Sequence, residues 1–247
     1  RPFIERSLVL APERAGKFTL VRLYDFEGRP DAGVGLRYQH DDVPEMILDV
    51  YVYPIGRVQR GRALALGMES TRADLALAVE QGAYSDIVYG EETAFDLRSV
   101  AEDGSAGPAG EPDPALGRRQ SLRYVREEGP MDSLVFMFQR GLFLAKGRAS
   151  AKPTQVPPET FNRLANHAMQ VIVPAIIVRS TGGCAERVVE VDPRLEGEAF
   201  QAQLLEGLEQ TLRQANEEGC DATLDPAVPP GMRGHLLEFP PAMWGQG

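Results

Sequence analysis

Few side chains in this sequence are equipped for nucleophilic or acid–base chemistry. Histidine occurs at positions 40, 167 and 235, and cysteine only at 184 and 220. A Cys184 thiolate activated by His167 would serve a small hydrolase or transferase, the sulfur attacking while the imidazole moves the proton. Cys184 follows Gly182-Gly183, however, without the flanking residues that mark such nucleophiles, and serine chemistry lacks a Gly-x-Ser-x-Gly elbow. Hydrolase or transferase activity through His167 or Cys184 therefore stands as the alternative to a chain with no catalytic residues. His40-Asp41-Asp42 with Glu45 offers donors for a hard cation, but adjacent side chains on a turn diverge and calcium-loop spacing is absent. A solvated acidic turn is expected there, and no metal site. Gly33-Val34-Gly35 lacks the third glycine of a dinucleotide fingerprint, and Ser180-Thr181-Gly182-Gly183 precedes an expected strand rather than a helix, so no cofactor is expected.

Aromatic residues carry the stronger binding signal. Met46, Leu48, Val50 and Val52 alternate with Ile47, Asp49, Tyr51 and Tyr53, which sends the two tyrosines to the face of the sheet opposite the core. Either they pack beneath a loop or helix with their hydroxyls wet, or they form a binding surface for a protein or small-molecule ligand. Tyr51 and Tyr53 are the candidate ligand-binding residues.

These residues must be positioned by strands and helices legible in the pattern. Strands are expected at Phe18–Tyr24, Val34–Gln39 and Met46–Tyr53, then at Ile87–Tyr89, Thr93–Ser99, Gln120–Arg126, Leu134–Phe138 and Leu142–Ala149, with a further one at Glu186–Val191. Leu64, Met68, Leu75 and Val79 recur at helical spacing within Gly61–Gln81, which Gly82 should stop. Pro157-Pro158 opens a second amphipathic helix with Phe161, Leu164, Ala168, Met169 and Ile172 on its stripe and Pro174 at its end. A third spans Gly197–Glu218 before Gly219. Residues 101–117, rich in glycine, proline and acids, read as a mobile surface loop. Residues 1–220 read as one domain, and the proline-rich residues 221–247 as a tail wrapping the surface, anchored by Leu236, Leu237, Phe239 or Trp244. Leu36-Arg37-Tyr38 through Pro44 and Leu122-Arg123-Tyr124 through Pro130 share the pattern Leu-Arg-Tyr-x-x-acid-acid-x-Pro at an offset of 86. The two segments are either related β-β-α units or hairpins that reuse the same turn chemistry.

Charge and cysteine usage bound the setting. With 26 basic and 36 acidic side chains among 247 residues, the net charge of −10 opposes a phosphate backbone, so nucleic acid is not an expected partner. No apolar run approaches the length of a membrane helix, and no transmembrane segment is expected. The chain begins at Arg1 with no apolar leader remaining, consistent with removal of a signal peptide or of a tag. Two cysteines suit one disulfide in an oxidising compartment, and two free buried thiols in a cytoplasmic protein suit the same count. A Cys184–Cys220 bond is expected because a strand of about 20 Å leads away from Cys184 and a helix of about 33 Å returns, with Gly219 turning the chain back. A periplasmic or secreted location is the expectation that follows, with a cytoplasmic one as the alternative.

Strands before a helix, more strands and another helix imply α+β: an antiparallel sheet of six to eight strands with two or three amphipathic helices packed on it. Leu36-Arg37-Tyr38, Asp49-Val50-Tyr51-Val52-Tyr53-Pro54 and the first two helices give an arrangement over Lys17–Val178 that resembles the PsbP-like α+β sandwich, and that of uncharacterised exported bacterial proteins. The resemblance implies accessory and binding roles rather than catalysis. The expected function is a non-catalytic extracytoplasmic accessory or binding domain.

Overall fold

Period-two apolar patterning demands a sheet with one face against a core, and two sheets meet that demand in the computed structural model, which describes residues 2–98 and 116–244. The strands are β1 (Arg6–Pro12), β2 (Arg14–Ala15), β3 (Phe18–Asp25), β4 (Val34–His40), β5 (Val43–Pro54), β6 (Ser85–Asp96), β7 (Leu116–Arg126), β8 (Gly129–Arg140), β9 (Phe143–Ala151), β10 (Ile177–Thr181) and β11 (Met232–Glu238). The helices are α1 (Arg60–Glu80), α2 (Pro158–Ile172) and α3 (Gly197–Glu218). Eight strands form an antiparallel sheet in the order β2-β3-β4-β5-β9-β8-β7-β6, and three form a second in the order β10-β1-β11. The fold is α+β, as the element order implies.

The large sheet is covered on both faces. On one, Leu48, Val50, Leu134 and Phe136 are fully buried and join the α2 stripe of Phe161, Leu164, Ala168, Met169 and Ile172 in a single core that also takes Val9 of β1. On the other, α1 lays Ala63, Leu64, Met68 and Leu75 over Leu122, Tyr124, Val135 and Met137 of β7 and β8. Gly67 lets α1 approach closely, since a Cβ there would lie 2.7 Å from the Met137 sulfur. Val79, placed on the same stripe by its spacing, is 40% exposed. No residue of α3 is fully buried. It packs by Gly207 against Val189 and is fastened at its C-terminus, where Gly219 adopts φ +64° and Cys220 bonds to Cys184 with Cα atoms 6.0 Å apart.

The two acidic hairpins share their tips and differ in their bodies. His40 pairs with Val43 across Asp41-Asp42, as Arg126 pairs with Gly129 across Glu127-Glu128, so the repeated string specifies the same two-residue turn. A bulge then shifts the first hairpin's register between His40 and Tyr38, bringing Tyr38 opposite Leu48. In the second the register is unbroken and Tyr124 stands opposite Met131. Tyr38 points into the α2 core with His40, and Tyr124 into the α1 core, because the two hairpins stand in mirrored order in the sheet, β4-β5 against β8-β7.

Several elements depart from the sequence reading. Residues 6–12 form the central strand of the small sheet. Their run Leu8-Val9-Leu10-Ala11 is covered on both faces and has no alternation to reveal it. Residues 232–238, expected in a surface tail, pair with that strand, and Leu237 is buried. Glu186–Val191 alternates like a strand yet is irregular, with Val188 82% exposed, and it pairs with no strand among the described residues. Ser180 and Thr181 end β10, a strand that the sequence reading does not include. Of the expected loop at 101–117, residues 101–115 lie outside those described, while Leu116 and Gly117 begin β7. Among the described residues no helix is long and apolar enough to cross a membrane.

Candidate functional site

The face of β5 turned away from the α2 core carries Asp49, Tyr51 and Tyr53, and antiparallel pairing fixes what stands beside them. Asp49 lies opposite Arg37 on β4 and Arg148 on β9, Tyr51 opposite Gly35 and Lys146, and Tyr53 opposite Leu144. With no side chain, Gly35 leaves room for the Tyr24 ring, which a Cβ there would strike at 2.3 Å. Tyr24, Phe26 and Tyr51 follow in sequence, with centroids 5.7 and 6.4 Å apart. Lys146 Nζ continues the row, 5.1 Å from the Tyr51 ring centre.

Where this row meets the edge of α1 there is a pocket of about 200 Å³, walled by Tyr51, Tyr84, Lys146 and Arg148 and capped by Thr71, Asp74, Leu75 and Ala78. Tyr84 enters from the turn after α1, its ring 4.6 Å from that of Tyr124. The Arg148 guanidinium carbon lies 5.5 Å from both ring centres, and that of Arg126 lies 5.1 Å from Tyr84. Arg126 Nη2 donates a 3.0 Å hydrogen bond to Tyr84 Oη. The Nη2 of Arg148 is buried without a hydrogen-bond partner.

Positive charge is in excess here. Asp49 is buried and already receives two hydrogen bonds from Arg37, at 2.8 and 2.9 Å. Asp74 lies 3.5 Å from Lys146 with its own side chain 65% exposed. Arg148 and Arg126 have no ion pair among the described residues. The pKa shifts record the same field. Burial pushes the Lys146 ammonium below its ordinary value against the pull of Asp74, with Arg148 reinforcing the shift. Burial would raise Tyr84, but the hydrogen bonds from Arg126 and Arg148 and the charges of both outweigh it, and its phenol sits below the ordinary value. Tyr51 is pushed well up by burial and by nearby Asp49. Burial raises Tyr53 to about 12.

The two tyrosines expected to share a site therefore part company. Tyr51 forms a wall of the pocket. Tyr53 packs beneath α1, its hydroxyl donating to Met137 Sδ at 3.6 Å, and supports the wall from behind. Tyr84, Arg126, Lys146 and Arg148 carry no motif. The available signal is the alternation Lys146-Gly147-Arg148, two cations sent to one face of a strand whose other residues are small or apolar.

The remaining candidates are placed otherwise. Cys184 is bonded to Cys220 and holds no free thiolate, and His167 is exposed on α2 with its ring 6.1 Å from Phe18, so a Cys184–His167 dyad does not form. His40 is buried against Phe18 and its Nδ1 accepts the Asp42 amide at 3.1 Å. Asp41 pairs with Arg14, and Asp42 with Lys17 at 2.6 Å. Among the described residues no group of three or more His, Cys, Asp or Glu is placed to hold a metal. A larger and more open depression of about 430 Å³ lies beside α2, between Tyr89 and Phe161. Several of its polar groups are committed: Arg123 to Asp132 at 2.7 Å, Ser133 to the Ala149 carbonyl at 2.8 Å, and Asn162 to Pro158 and Arg119. The smaller pocket is the better candidate because it sets Arg148, which has no ion pair among the described residues, beside Lys146 and two tyrosine rings.

No family model matches the chain, and no curated protein matches it. The solution structure of cyanobacterial PsbP (CyanoP) from Synechocystis is a distant structural neighbour, with a TM-score of 0.38 and 11% identity, covering 70% of this chain and 92% of that one.

Proposed function

We propose that the chain is a non-catalytic, extracytoplasmic binding domain whose ligand seat is the pocket between α1 and the sheet, with Tyr51 as a wall and Tyr53 as its support. The observation that carries the reading is the Arg148 guanidinium, which has no ion pair among the described residues and whose buried Nη2 lacks a hydrogen-bond partner, beside Lys146 in an aromatic-walled cavity. Holding desolvated charge without a partner costs stability, and a site retained at such cost is characteristic of binding. Extracytoplasmic location draws its support from the Cys184–Cys220 bond, since such bonds persist in oxidising compartments. A titration of tyrosine-labelled protein with benzoate and benzamide, followed by ring NMR signals, tests the seat. Saturable shifts at Tyr51 and Tyr84 are expected. Shifts with neither probe would overturn the reading if the rings stay silent up to the solubility limit.

A further inference from the structure

We infer that the pocket selects a small organic carboxylate on a planar apolar body, its headgroup held between Lys146 and Arg148 and its ring laid against Tyr51 and Tyr84. The inference rests on the ligand seat proposed above and goes further by naming the class of ligand.

Size sets the first limit. About 200 Å³ accommodates a single substituted ring against the walls. Charge sets the second. Of the carboxylates near the cations, Asp49 is occupied by Arg37, and Asp74 reaches only Lys146, and from the solvent side. Arg148 is thus left with the Tyr84 and Tyr124 rings and the Tyr84 hydroxyl, an attraction weaker than that of a carboxylate able to take two of its hydrogens, and its Nη2 has no partner. A monoanion entering the pocket would supply the missing counter-charge where water is largely excluded. The walls set the third: Tyr51 and Tyr84 offer flat apolar surfaces, which a bare inorganic anion would not use.

Calorimetric titration of the whole chain with benzoate, with benzamide of the same shape and no charge, and with inorganic phosphate tests the inference. Benzoate should bind at least tenfold more tightly than benzamide or phosphate. Asp74→Asn, at an exposed helix position, removes the one competing carboxylate and should tighten benzoate severalfold while leaving benzamide unchanged. Arg148→Met should abolish the preference, with its melting temperature recorded beside it as a check on folding. Equal binding of benzoate and benzamide would overturn the carboxylate class and leave the ligand seat standing, whereas no binding of any probe would remove both. Phosphate binding as tightly as benzoate would show a site for anions in general and overturn the planar body. A benzoate affinity that Asp74→Asn leaves unchanged would show that the charge of the pocket does not act on the ligand.

Discussion

Tyr84 is the residue whose titration reports the pocket's field. Its phenol lies below the ordinary value of about 10 because Arg126 and Arg148 favour the phenolate, so its contribution to stability is present above the unfolded-state value and is lost as pH falls through the native one. Tyr38, Tyr51 and Tyr53 are raised by burial and behave oppositely, contributing below about 10 and losing that contribution as pH rises through their native values. In an absorbance titration, Tyr84→Phe should delete a phenol that ionises below about 10, whereas Tyr53→Phe should delete one that ionises near 12. Unchanged low-pH amplitude in Tyr84→Phe would show that the cations do not act on that ring. Tyr51 was legible because alternation along one strand assigns its face. Its cationic partners were not, since Lys146 and Arg148 belong to β9, nearly a hundred residues later, and an isolated cation on a polar face reads as solvated. Tyr84 reaches the site only through the turn after α1, which no local pattern encodes.

At the scale of elements, the α2 core is where substitution should be least tolerated. Val50 and Phe136 are fully buried, and aspartate at either leaves an unpaired charge costing about 3–5 kcal/mol or more. Ile47 on β5 points to the opposite face and is 39% exposed, so Ile47→Asp should shift the unfolding midpoint far less. Thermal melts of the three variants check this, and equal stability would contradict the assignment of faces. Gln120 is no neutral control, although its strand position suggests one, because it is buried and donates to the Gly90 carbonyl at 3.0 Å. Strands with one buried face and helices with one apolar stripe were legible, since period alone identifies them. A strand covered on both faces, β1, was not, because its apolar run carries no period, and its late partner β11 was not, because it is mostly polar and exposed and its pairing spans the chain. The shared acidic string shows the complementary limit: it encodes a turn faithfully, while the place of each hairpin in the sheet, β4-β5 against β8-β7, decides which core its tyrosine enters.

For the molecule as a whole, the net charge of −10 sits against a locally cationic pocket. Surface acids act on an incoming anion over about 8 Å at physiological ionic strength, while Lys146 and Arg148 act at contact in a poorly solvated space, so the local field governs binding and the overall charge chiefly slows approach. The central claim is that this pocket, rather than the larger depression beside α2, is the ligand seat. Intermolecular nuclear Overhauser effects between bound benzoate and the tyrosine rings test it most directly. Cross-peaks to Tyr51 and Tyr84 are the expected result, with none to Tyr89. Cross-peaks to Tyr89 and Phe161 without any to Tyr51 would place the ligand in the other depression and contradict the account.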